Sequence, residues 1–240
     1  MQRIIRVGIL VLIIGFLGFL VIYNTLNPAP PDMTTWNAAM AKGDPETAKH
    51  HFVMYTDIFC PYCDKFSDAV AANLEDFNRH YIEDEKVLFE IRVTDVNYEN
   101  GHSNNSKPAG VAAYCAAREG NFWDYYYALL KQIFEDYHSH GVGVDRTSPK
   151  IPDLDNSYFY HVAKDVEGLD YEKMKTCINN EETLSELQEN TKKANAQLKG
   201  NGVPYFVFNK YVTPGFRGNW NTDNDYQEVK LMMDAGLTSK

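Results

Sequence analysis

Apolar positions along the chain fall into one long unbroken run followed by short stretches of period two and period 3.6. Val7 to Tyr23 is seventeen consecutive residues without a charge, preceded by Arg3 and Arg6, and the next charged side chain is Asp32. Beyond it, His51–Thr56 (HFVMYT) and Val87–Val93 (VLFEIRV) are β-branched and aromatic runs that predict buried strands. Phe66, Val70, Leu74 and Phe77 share one face of a helix predicted to open at Cys60 and reach about Arg79. Further helices are predicted at about Lys107–Glu119, Phe122–Tyr137, Ser157–Val166, Tyr171–Asn179 and Glu182–Leu198, with Gly168 and Gly200 as their stops. His138–Asn156 reads as a long loop, and Tyr205–Phe208 with Tyr211–Thr213 as a hairpin around Asn209-Lys210. A last helix covers about Asp223–Ala235 and stops at Gly236, while residues 34–49 are helix-compatible. This order predicts an α/β layer fold, a small mixed sheet interrupted by a block of helices.

A helix crossing a bilayer needs about 20 apolar residues, so Ile4 to Tyr23 suffices if the arginine stems snorkel. Positive charge before the run orients the N-terminus to the cytoplasm. The run is read as an uncleaved signal anchor over residues 1–26; a cleaved signal peptide is the alternative. Either way the remainder is exported to the periplasmic or extracellular side. Residues 27–49 form a proline-rich linker and N-terminal segment, and residues 50–238 one domain, with its helical insertion at about 107–198. The whole chain carries a net charge of −10 with 44% hydrophobic residues. That composition excludes a disordered chain, and the acidity argues against nucleic acid as a partner. Without its first thirty residues the chain keeps 21 bases against 33 acids, so the exported part stands at −12.

Cys60-Pro61-Tyr62-Cys63 sits where a predicted strand gives way to a predicted helix. A lone C-x-x-C is weak, since zinc sites use the same spacing. At a helix N-terminus, however, a thiol faces unpaired backbone N–H groups and the positive end of the dipole, which favours the thiolate. Pro61 suits the first helical position, where its missing N–H costs nothing. Cys60 is expected to be exposed and nucleophilic and Cys63, one turn in, shielded, the two cycling between dithiol and disulfide. Gly202-Val203-Pro204 heads the strand at Tyr205–Phe208, where a proline fits a sheet edge or a cis turn. Beside Cys60 it would offer an open strand edge to an extended peptide through the Val203 main chain; an ordinary loop proline is the alternative. Pro61, Tyr62 and Val203 are the residues such a peptide is expected to meet.

Cys115 and Cys177 lie on separate predicted helices. They form either a structural disulfide, favoured by an oxidising compartment, or two buried free thiols. A zinc site built from all four cysteines is disfavoured because Cys115 and Cys177 are not a close pair; neither metal nor cofactor is expected. Tyr125-Tyr126-Tyr127 reads as core, and His138-Ser139-His140 as solvated loop. Asn104-Asn105-Ser106 matches a glycosylation acceptor and a turn equally well.

Together, Thr56-Asp57-Ile58-Phe59-Cys60-Pro61-Tyr62-Cys63, Ala112-Ala113-Tyr114-Cys115-Ala116 running to Asn121-Phe122-Trp123-Asp124-Tyr125, and Gly202-Val203-Pro204 to Asn209 resemble the DsbA-like family of thiol–disulfide oxidoreductases. The resemblance spans about residues 50–235. It implies a thioredoxin fold with a helical insertion, here preceded by one transmembrane helix. It also implies that Cys60 attacks, Cys63 resolves, and Pro204 is the cis-proline facing them. Two positions depart from the pattern. Met54 stands where thioredoxins carry a buried acid, leaving Asp57 as the nearest carboxylate. Tyr62 stands where the strongly oxidising members have histidine, and it brings no positive charge, so a less oxidising disulfide is expected. The implied activity is an extracytoplasmic dithiol oxidase acting on exported proteins with free thiols and recycled by a membrane-bound thiol oxidase. The alternatives are a reductase or isomerase of the same fold, or a non-catalytic membrane-tethered binding module.

Overall fold

The computed structural model describes residues 14–19, 31–213 and 215–239. Contacts divide the chain into two units, Met1–Asp32 and Met33–Lys240. In the first, residues 14–19 are helical with exposed side chains. The rest of the span expected at Ile4–Tyr23 lies outside the described residues, among which no helix is long and apolar enough to cross a membrane.

In the second unit, β1 (Ala41–Lys42), β2 (His50–Thr56), β3 (Val87–Val93), β4 (Tyr205–Phe208) and β5 (Tyr211–Val212) form one sheet in the order β1-β3-β2-β4-β5. β2 and β3 run parallel, and the other pairings are antiparallel. β3 is buried at every residue and β2 at five of seven, which is why both read as nearly continuous apolar runs. Period-two alternation still separates the faces. Phe52, Met54, Phe89, Ile91, Phe206 and Phe208 enter the main core, whereas Val53, Tyr55 and Val207 join a smaller cluster on the opposite face. Register brings Phe52 opposite both Phe89 and Phe208. The rings of Phe52 and Phe206 stack at 5.8 Å, and Phe66 closes on Phe206 at 4.8 Å.

The helices are α1 (Pro61–Ala72), α2 (Leu74–Phe77), α3 (Val96–Glu99), α4 (Ser106–Arg118), α5 (Phe122–Asp136), α6 (Asn156–Val162), α7 (Tyr171–Ile178), α8 (Glu181–Leu198) and α9 (Thr222–Thr238). α3 to α8 lie between β3 and β4, so the chain leaves the sheet for the helical block and returns to it. α7 and α8 open on Asp170 and Asn180, whose side chains accept from the first free backbone N–H groups.

Four local expectations are corrected. The helix expected from Cys60 to Arg79 breaks at Asn73, continues as α2, and turns π-helical over Asn78–Asp84; an apolar period does not distinguish these windings. Residues 34–49 hold only a short 3₁₀ turn, Ala38–Met40, and the edge strand β1, so the sheet recruits residues before position 50. Gly236 does not stop the last helix: it lies inside α9 because its bare Cα packs against Phe208, where a Cβ would run into the ring. The supposed loop histidine His138 is buried in a short 3₁₀ turn.

A buried charge cluster holds the segment after Asp32 on the smaller-core face. Arg92 donates to Glu90, to the Tyr55 hydroxyl at 2.7 Å and to the Thr34 carbonyl at 2.6 Å. Its guanidinium also lies 4.3 Å from the Trp36 ring centroid. Burial alone would raise Glu90, but the His51 hydrogen bond and the Arg92 charge hold its carboxyl below the usual range.

Candidate active site

The redox helix begins as the sequence dictates. Cys60 has extended backbone (φ −95°, ψ 113°) and caps α1, and Pro61 fills the first turn. Cys63 is fully buried; Cys60 is only 5% exposed. The expectation of an exposed Cys60 is corrected: its sulfur donates to the Val203 carbonyl at 3.3 Å, which places the Val203–Pro204 loop directly against it. The Val203–Pro204 peptide bond is cis. Tyr62, 41% exposed, is the part of the motif that faces solvent. Both thiols are free in this structure.

The two cysteines are electrostatically unequal. Burial pushes the Cys63 thiol well above its ordinary range, reinforced by its hydrogen bond to Cys60 and by the Cys60 charge. The Thr56 side chain and the Asp57 backbone pull the other way. Met54, at the position of the missing acid, is buried in the apolar core. Asp57 is not a substitute in hand: its carboxylate is occupied by Phe59 N–H (2.9 Å), Asn97 N–H (2.9 Å) and the Ser106 hydroxyl (2.7 Å). Burial nevertheless raises it to about 6, and those three donors oppose the shift.

Sequence reasoning missed two contacts from the inserted helices. Tyr126 of α5 shares a hydrogen bond with Ser67 at 2.9 Å, and Ser67 donates to the Cys63 carbonyl at 3.0 Å. The insertion thus braces the second turn of α1. Asp64, immediately after Cys63, bonds His138 Nδ1 at 2.9 Å, with both side chains almost completely buried. Burial raises Asp64 to about 6, against the pull of His138. The acidic neighbour of Cys63 signalled nothing in sequence, because its partner lies 74 residues away. Cys115 and Cys177 are joined as a disulfide. Among the described residues no cluster of three or more His, Cys, Asp or Glu is placed to hold a metal.

A dithiol at a helix start, with one thiol buried and the other against a cis-proline loop, is a site for thiol–disulfide exchange. The chain belongs to the thioredoxin family, whose model matches residues 35–234. With its Cys60–Cys63 pair it is a thiol–disulfide oxidoreductase. No curated protein matches it. Three of the solved structures that share the fold show the likeness. A thioredoxin-like oxidoreductase from Silicibacter pomeroyi DSS-3 is 18% identical, over 83% of this chain and 92% of that one, with a TM-score of 0.55. BdbD from Bacillus subtilis is 18% identical over 83% and 93%, with a TM-score of 0.56. DsbA from Chlamydia trachomatis is 13% identical over 85% and 97%, with a TM-score of 0.53. At these identities the likeness is one of fold, a thioredoxin-like sheet with helices as in DsbA-like structures.

Proposed function

We propose that the protein is a membrane-tethered, extracytoplasmic dithiol oxidase that introduces disulfides into exported proteins. The asymmetry of the cysteine pair carries this reading: Cys63 is buried with its thiol held protonated, and Cys60 caps α1 beside the Val203 carbonyl. A substrate thiolate attacks Cys60 of the Cys60–Cys63 disulfide, forming a mixed disulfide and releasing Cys63, which takes a proton. A second substrate thiolate then attacks the substrate sulfur of that bond and releases Cys60. Two electrons pass from substrate to enzyme, and the helix N-terminus stabilises the departing Cys60 thiolate. Stabilising the reduced form in this way makes the disulfide the more oxidising partner.

Pro61, Tyr62 and Val203 would line the path of an extended substrate segment, whose backbone can pair with the main chain at Val203 ahead of Pro204. The apolar run at Val7–Tyr23 supports tethering. The Cys115–Cys177 disulfide supports an oxidising compartment. Recycling then falls to a membrane-bound thiol oxidase that accepts the two electrons. Tyr62 between the cysteines keeps a reductase as the second reading, since it brings no charge to the pair.

A reduced, unfolded protein with free thiols tests the proposal. The oxidised enzyme should convert those thiols to disulfides, and Cys60→Ala and Cys63→Ala, neither of which can hold the Cys60–Cys63 disulfide that accepts the two electrons, should both abolish the conversion. Undiminished conversion by Cys60→Ala would overturn it. Binding of the unfolded protein without any exchange by the unaltered enzyme would identify a binding module instead.

A further inference from the structure

Met33 and Trp36 pack on the sheet face that carries the smaller apolar cluster, and Val203 and Tyr205 pack against the same cluster. Two main-chain groups of this segment satisfy a buried ion pair. The Thr34 carbonyl accepts from Arg92 at 2.6 Å, and the Trp36 N–H donates to Glu90 Oε1 at 2.6 Å. A third, the Met33 carbonyl, accepts from His51 Nδ1 at 2.9 Å. The Arg92 and Glu90 side chains are fully buried and 3.0 Å apart, and buried charge is tolerated only while paired and hydrogen-bonded. Lifting the segment away would leave both ions short of partners, so Met33–Trp36 is clamped to the sheet.

From Trp36 a chain of contacts leads to the redox site. The Trp36 ring meets Tyr55 edge-on at 5.7 Å, and Tyr55 meets Tyr205 edge-on at 6.0 Å. Such edge-on pairs hold ring orientation as well as burying area. Tyr55 is fixed at its far end by Arg92, which donates to its hydroxyl at 2.7 Å, and it faces Tyr205 across the β2–β4 ladder. Tyr205 directly follows Pro204, and the Val203 carbonyl accepts from the Cys60 sulfur at 3.3 Å. We propose that Met33–Trp36 is a positioning element for the Val203–Pro204 loop, with the Trp36 ring holding Tyr55 and Tyr205 where they set that loop against Cys60. The proposal rests on the exchange reading and deepens it. An extended protein segment pairs with the Val203 main chain, whereas a small dithiol needs only the Cys60 sulfur. Trp36 therefore governs recognition of protein substrates and leaves the reactivity of Cys60 to α1.

Single-turnover reduction of the oxidised full chain tests this, with a reduced, unfolded protein and with dithiothreitol as alternative electron donors. Trp36→Ala should raise the half-saturating concentration of the unfolded protein about tenfold, the scale of coupling through a chain of packed side chains. The rate with dithiothreitol should not change. Trp36→Phe keeps a ring and should restore the unaltered behaviour. Where Trp36→Ala does not fold, Trp36→Leu keeps apolar bulk without the ring and is read in the same way. In native-state hydrogen exchange the amides from Val203 to Phe206 should quicken while those of β3 keep their protection; a general loss of stability would release β3 as well. An unchanged half-saturating concentration in a folded variant would overturn the proposal, and so would an equal slowing with dithiothreitol. Failure of the unaltered protein to take electrons from the unfolded protein would instead sink the exchange reading, which separates the two.

Discussion

At the scale of single residues, the site depends on groups whose burial sets their charge. Asp64 shows this most plainly, since burial raises its carboxyl to about 6 from an ordinary value of 3.8. A carboxyl raised on folding contributes stability that is fully present below the unfolded value and lost as pH rises through the folded one. The window is therefore roughly pH 4 to 6, and the shift corresponds to about 3 kcal/mol at most. Asp64→Asn keeps an acceptor for His138 Nδ1 but cannot ionise. Urea unfolding at pH 4.5 and pH 7.5 should show a smaller fall in stability with rising pH for Asp64→Asn than for the unaltered protein. An equal fall in both would contradict the assignment. Asp57, raised to about 6 by the same burial, keeps its own slope in both proteins. Much of the residue-level site was legible: Cys60, Cys63 and Pro204 stand out by type and spacing. Asp64–His138 was not, because the pair forms only when the insertion folds back onto α1.

Among the elements, the periodic pattern located all the longer helices and both strands that flank the redox helix. It failed where winding or packing depends on tertiary contact, as in the π-helical Asn78–Asp84, the edge strand β1, and Gly236 against Phe208. Cys115 and Cys177 lay on the helices expected, yet sequence left their pairing open, since only the packing of α4 against α7 brings their Cα atoms to 5.8 Å. Their bond closes a loop with a sequence separation of 62, which on the chain-entropy relation stabilises the fold by about 4 kcal/mol. Replacing both by alanine should lower the urea unfolding free energy by about 2–4 kcal/mol, without changing the exchange rate of Cys60 by more than about twofold. A large loss of exchange in a variant that remains folded would show that this pair belongs to the redox chemistry.

For the molecule as a whole, the split between sheet and inserted helices is the functional design. The sheet supplies the strand end before Cys60 and the strand after Pro204, while α5 and the turn at His138 brace α1 from the other side through Tyr126 and Asp64. The overall order of strands and helices was readable because the strands are nearly all-apolar and the helices amphipathic. The strand order was not, because nothing local specifies that β3 rather than β4 lies beside β1. Excess acid beyond the first thirty residues bears on solubility and leaves the exchange chemistry to the local field at α1.

The reduction potential of the Cys60–Cys63 couple, equilibrated against glutathione, tests the central claim most directly. A dithiol oxidase requires a value well above that of thioredoxin, about −270 mV. A value at or below that figure would contradict the account and make the protein a reductase.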